Sequence, residues 1–147
     1  MKSIKFILKQ KAKEIWSASP GATVYDALQL MADKDVGALP VLDGKKLVGI
    51  FSERDYARKV ILKGKSSKKI LVREIMSTNL IVITPDQTNE QGLALMTTKH
   101  VRHLPVVQEQ KLVGFISIGD LVKSIIDEQK QVIDKLEQHI IETSGLN

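Results

Sequence analysis

The sequence contains itself twice. Offset by 65 positions, residues 20–55 lie over residues 85–120 without a gap, and sixteen of the thirty-six pairs are identical. The matches include Thr23, Leu28, Met31, Leu39-Pro40-Val41, Lys46-Leu47-Val48-Gly49, Ser52 and Asp55. Others are conservative apolar swaps, such as Leu42 with Val107. A repeat of this quality means two copies of one supersecondary unit. Two copies face each other most readily around a pseudo-two-fold axis, and any cleft between them is then doubled.

Each copy alternates strand and helix signals in the order β-α-β-β-α. In the first, residues 15–18 form a candidate strand, and Val24, Ala27, Leu28 and Met31 recur at helical spacing behind Thr23, a good N-cap. Strands at 39–42 and 47–51 flank a turn at Gly44, and a helix follows from Glu53. The second copy gives a strand at 80–83, a helix at 89–99, strands at 104–107 and 112–116, then a long helix. Paired strands across a tight polar turn predict hairpins. The predicted fold class is α/β (α+β), with two tandem repeats packed through their sheets, because so small a unit alone buries little core. The predicted boundaries are residues 1–66 for repeat 1, 67–142 for repeat 2 with its long helix, and 143–147 for a tail.

That last helix, predicted over residues 120–141, would be about 30 Å long. Val122, Ile125, Val132, Leu136 and Ile140 recur every three or four positions, and Gly145 can stop it. The stripe either packs back on its own chain or makes a homodimer contact; the homodimer is the expectation.

Composition removes several function classes. Among 147 residues there is no cysteine, which excludes disulfides, thiolate metal sites and a cysteine nucleophile. Aromatics are only 4%, too few for a base-stacking platform along a nucleic acid. His100, His103 and His139 lack metal-ligand spacing, so no metal is expected. No nucleophile with its base and no paired catalytic carboxylates stand out, so the chain reads as no enzyme. No run approaches the roughly 20 apolar residues of a membrane span, and the start lacks the unbroken apolar core of a signal peptide. The expectation is a soluble, cytoplasmic protein. The net charge of +5 favours anionic partners. The densest basic cluster, Lys63, Lys65, Lys68 and Lys69, is broken by glycine and serine and reads as a solvated loop.

The chemistry lies where each hairpin ends. The first copy reads Gly49-Ile50-Phe51-Ser52-Glu53-Arg54-Asp55, the second Gly114-Phe115-Ile116-Ser117-Ile118-Gly119-Asp120. In both, a strand runs into a helix at Ser-x-x-Asp. One reading is a helix cap. The other is recognition: free N–H groups and a serine hydroxyl suit phosphate. Aspartate, repelled by phosphate, suits the paired hydroxyls of a ribose. Together they match a ribonucleotide, AMP in particular. Arg54, Arg58, Arg102 and His103 are candidate countercharges, since arginine can hold phosphate through two parallel bonds. The copies differ: Val101-Arg102-His103 stands against Val36-Gly37-Ala38, and Gly119 against Arg54, so two clefts of unequal affinity are expected.

The doubled Leu-Pro-Val, Lys-Leu-Val-Gly and Gly-x-x-Ser-x-x-Asp resemble a tandem cystathionine-β-synthase (CBS) domain pair, or Bateman module, over residues 4–141. The runs at 51–59 and 102–106 resemble stand-alone CBS-pair proteins. The resemblance implies an adenosine ligand: AMP, ADP, ATP, NAD or S-adenosylmethionine. It implies that Asp55 and Asp120 hold ribose, that Ser52 and Ser117 lie near phosphate, and that Arg102 and His103 can reach it. Modules of this family often pair into a flat disc of four repeats. The candidate ligand-binding set is completed by Trp16, Ser17, Ala38, Pro40, Ile81, Val82, Val101, Leu104, Pro105 and Gly119. Core packing is the other reading of Trp16. The expected function is an adenine-nucleotide-sensing regulatory module that signals to a client protein. A ligand-independent scaffold dimer is the alternative.

Overall fold

A computed structural model of the chain describes residues 1–11 and 14–145. The helices are α1 (Ile4–Gln10), α2 (Val24–Lys34), α3 (Glu53–Tyr56), α4 (Val72–Ile75), α5 (Asn89–Lys99) and α6 (Ile118–Ser144), and a π-helical turn (Ala57–Ile61) extends α3. The strands are β1 (Ala38–Asp43), β2 (Lys46–Ser52), β3 (His103–Gln108) and β4 (Lys111–Ser117). They form two small sheets, β1–β2 and β3–β4. This mixed α/β architecture with a long C-terminal helix is the one the repeat predicts. The predicted tail is described only as far as Gly145.

The two copies use the same local devices. Thr23 and Thr88 cap α2 and α5, their hydroxyls accepting from the Asp26 and Gln91 N–H groups at 3.1 Å each. Both helices end on a left-handed residue, Asp35 (φ 53°) and His100 (φ 56°). The next amides close the last turns, Val36 N–H donating to the Met31 carbonyl and Val101 N–H to that of Met96, each at 3.0 Å. Glycine at φ 72° likewise ends α6 at position 145.

Contacts divide the described chain into two compact units. One comprises residues 14–82 and 105–115. Its core holds Val24, Ala27 and Met31 of α2, Leu39, Val41 and Phe51 of the first hairpin, and Val60, Val72 and Ile75. Gly49 belongs to this packing. A Cβ there would meet the Met76 sulfur at 2.6 Å and the Ser77 carbonyl at 3.1 Å. Its lack of a side chain lets Ile50 exchange both backbone hydrogen bonds with Ser77, at 3.0 and 2.9 Å.

The other unit comprises residues 1–13, 83–104 and 116–147. Its buried residues include Ile4, Ile7, Ile83, Met96, Leu104, Ile116 and Leu121. Gly92 of α5 lets α6 approach, since a Cβ would sit 3.0 Å from a Leu121 methyl. Fully buried Asn89 donates to Ser124 Oγ at 3.0 Å and to Glu128 Oε1 at 2.7 Å. Helix α1, not anticipated from the sequence, joins here: Ile4 N–H donates to the Gln87 carbonyl, and Asn89 N–H to that of Lys2.

Two predicted strands are corrected. Residues 15–18 and 80–83 contribute only the single bridged residues Ala18 and Ile83. Ala18 makes one pair of parallel-type bonds, to Pro40 and Leu42, at 3.0 and 2.9 Å. The next residue of the same orientation is Pro20 in one copy and Pro85 in the other. Proline has no N–H to continue a ladder. Among the described residues no helix is long and apolar enough to cross a membrane, and no cluster of His, Asp or Glu could hold a metal ion.

Candidate functional site

Both Ser-x-x-Asp motifs fold as capping boxes. Ser52 N–H and its hydroxyl donate to Asp55 Oδ2 at 3.0 Å each, while Asp55 N–H donates to Ser52 Oγ at 3.1 Å. In the second copy Ser117 N–H donates to Asp120 Oδ2 at 2.8 Å, and Asp120 N–H to Ser117 Oγ at 3.2 Å. The strand-to-helix junctions are braced alike: Glu53 N–H donates to the Gly37 carbonyl at 3.1 Å, and Ile118 N–H to that of Arg102 at 2.9 Å.

Beyond the box the copies diverge. Asp55 lies in the 14–82 unit with its side chain 11% exposed, and Lys59 Nζ sits 3.0 Å from its Oδ1. The Ser77 hydroxyl donates to the same oxygen at 3.3 Å. Asp55 is thus enclosed by its own chain. The Asp120 side chain is 25% exposed, and Lys11 Nζ approaches its Oδ2 to 2.7 Å. Burial opposes ionisation of Asp120, but bonds from Lys11 and Ser117 outweigh it and hold the pKa below the usual carboxylate value. Burial pushes the His103 imidazole down from its ordinary value. The Asp120 charge opposes this shift, and those of Lys11 and Arg102 reinforce it. Lys11, Arg102, His103, Ser117 and Asp120 therefore share one electrostatic environment in the unit of α6.

The remaining predicted residues are placed as follows. Trp16 is half-buried against the first core, with Lys34 Nζ 4.1 Å from its ring centroid. Ser17 is half-buried; Ala38 and Pro40 are buried in β1. Arg54 and Arg58 are exposed. Ile81 is half-buried and Val82 exposed, and both, like buried Pro105, belong to the unit of residues 14–82. Val101 is half-buried, Leu104 buried, and Arg102 and Gly119 exposed in the unit of α6. Sequence reasoning missed Lys11, Lys59 and Ser77. Lys59 stands one turn beyond Asp55 and was legible at that spacing. The other two were not, lying 109 and 22 positions from their aspartates.

The CBS domain family profile matches residues 11–62 and 72–127. The chain belongs to the CBS domain family. It is 36% identical to the mitochondrial CBS domain-containing protein CBSX3 of Arabidopsis thaliana, over 94% of this chain and 71% of that one. A protein with CBS domains from Burkholderia ambifaria MC40-6 has a solved structure that superposes with a TM-score of 0.84. It is 47% identical and covers 87% of this chain and 96% of its own. The CBS domain pair of protein MJ0100, solved in complex with 5′-methylthioadenosine and S-adenosyl-L-methionine, has the same fold. It is 23% identical at a TM-score of 0.72 and covers 84% of this chain and 99% of its own.

Proposed function

We propose that this CBS pair is a non-enzymatic regulatory module that binds an adenosine nucleotide, AMP foremost, and passes its occupancy to a client protein. The observation that carries the reading is the group around Asp120: a partly exposed carboxylate at a helix start, beside Arg102, His103 and Lys11. The carboxylate suits ribose hydroxyls, and the basic residues suit phosphate. The adenosine compounds bound by the CBS pair of MJ0100 support that ligand class. Asp120 rather than enclosed Asp55 is the proposed first site of occupancy. Ribose would take the place of Lys11 on Asp120, leaving the ammonium to meet phosphate. The module acts as a homodimer, and its ligand can signal only through unequal affinity for two states.

Titration calorimetry against AMP, ADP, ATP, NAD and S-adenosylmethionine tests this reading. Binding of at least one, with a gain of roughly 2.7 kcal/mol in stability at a hundred times its dissociation constant, is expected. No binding at millimolar concentration overturns it in favour of a ligand-independent scaffold. The capping boxes favour that second reading, because each Ser-x-x-Asp already has a structural task.

A further inference from the structure

Helix α6 is 27 residues long, yet its anchoring stops early. Leu121, Ser124 and Glu128 face its own unit, and from residue 129 to 145 every position is exposed. That leaves about four turns, roughly 24 Å of helix, uncovered. Val122, Ile126, Ile133, Leu136 and Ile140 follow one another at alternating steps of four, seven, three and four, with Gln129 completing the series. Ile126, Ile133 and Ile140 take the a positions of a heptad, and Val122 and Leu136 take d positions. Ile133, Leu136 and Ile140 are 52%, 56% and 62% exposed. An apolar stripe of this length on a lone helix is an association surface.

We infer that α6 pairs with α6 of a second copy as an antiparallel two-fold coiled coil centred between Asp134 and Lys135. The flanking charges choose the direction. One edge of the stripe carries Lys123, Lys130 and Glu137 at the e positions; the other carries Ile125, Val132 and His139 at g. A parallel pair sets g against e of the partner, which puts Val132 beside a glutamate and Ile125 beside a lysine. An antiparallel pair sets e against e. In the register that layers Ile133 on Leu136 and Gln129 on Ile140, Lys130 of each copy meets Glu137 of the other. Sliding by one heptad sets Glu137 against Glu137 one way; the other way, Lys123 meets Glu137 but Lys130 is set against Lys130 at the centre of the seam. The two-fold makes both ion pairs at once and closes the assembly at two chains. On the g edge of the same register, Val132 of each copy meets the His139 ring of the other rather than a carboxylate. This seam deepens the homodimer reading and is independent of the nucleotide.

The chain has no cysteine, so introduced thiols report only the contact under study. Gln129→Cys and Ile140→Cys are prepared singly and as a mixture refolded together, then oxidised mildly. In the proposed register the mixture forms disulfide-linked dimers between positions 129 and 140. Ile140→Cys alone does not, since its two copies lie about 16 Å apart along the axis. Self-linking of each single variant shows a parallel seam and overturns the proposal. So does a wild-type dimer by light scattering whose mixed variants never cross-link. A wild-type monomer overturns the homodimer reading itself. As a second readout, Lys130→Glu and Glu137→Lys each weaken the dimer about fivefold, and the double variant restores it. Failure of the double variant to restore it overturns the register.

Discussion

Lys11 Nζ lies 2.7 Å from Asp120 Oδ2, joining the segment after α1 to the first turn of α6. The contact places a cation on the carboxylate proposed to hold ribose, next to the groups proposed to hold phosphate. Lys11 would therefore oppose one half of a nucleotide and favour the other.

Lys11→Ala should separate those effects. Adenosine, which needs only Asp120, should bind up to about fivefold tighter once a partly exposed ion pair no longer competes. AMP should gain less or lose affinity, because the variant lacks a phosphate cation. Arg102→Ala should weaken AMP while sparing adenosine. Calorimetry with both ligands gives the ratios, and equal changes for AMP and adenosine in both variants would sink the phosphate assignment.

The two aspartates should fail in different ways. Asp55 is enclosed by Ser52, Ser77 and Lys59, so Asp55→Ala should cost about 1–2 kcal/mol of stability through the lost cap. Asp120→Ala should instead cost about 1.5–3 kcal/mol of nucleotide binding, the worth of a charge-assisted contact. Urea unfolding and calorimetry on both variants decide this. Normal binding by Asp120→Ala with lost binding by Asp55→Ala would move the site to the first copy.

Gly49→Ala adds a methyl that meets the Met76 side chain and the Ser77 carbonyl. Met76 can shift, but the backbone oxygen at 3.1 Å is held by the Ile50–Ser77 pairing. A loss of about 1–3 kcal/mol is expected for such overpacking, read as a lower urea midpoint. Unchanged stability would show that the extended segment at Ser77 is free to give way.

His103 should make the fold acid-sensitive. Its folded pKa is lowered from 6.5 by burial, with Asp120 opposing and Lys11 and Arg102 adding to the shift. Below that ordinary value the unfolded chain binds a proton that the folded chain refuses. Stability should therefore fall as pH drops from about 7.5 toward the folded pKa, by at most about 1.4 kcal/mol per pH unit for one proton. Asp120, lowered from 3.8, adds its own loss only in stronger acid. Urea unfolding between pH 7.5 and 5 should show the slope in the wild type and a flatter one in His103→Gln. Identical slopes would remove His103 as the cause.

The repeat by itself determined the fold class, the two hairpins and the helices Val24–Lys34 and Asn89–Lys99 to the residue. It could do so because threonine caps, apolar spacing and the serine–aspartate box act within a few residues, so local sequence suffices. It also located Asp55 and Asp120 at equivalent helix starts. Helix α1 was missed although its signals are local: Ser3 caps it, accepting from the Phe6 N–H at 3.1 Å, and Ile4, Ile7 and Leu8 stand at i, i+3 and i+4, but the segment is only seven residues long. The strands at 15–18 and 80–83 read as strands by composition, but prolines two residues beyond Ala18 and Ile83 left each with a single bridge. Only the tertiary structure distinguished the two aspartates. A capping box looks the same in both copies, whereas the Ser77 hydroxyl on Asp55 and the Lys11 ammonium on Asp120 come from 22 and 109 positions away, at separations no local rule reaches. Both aspartates are caps, and that difference in enclosure is the reason Asp120 rather than Asp55 is proposed to hold the ligand.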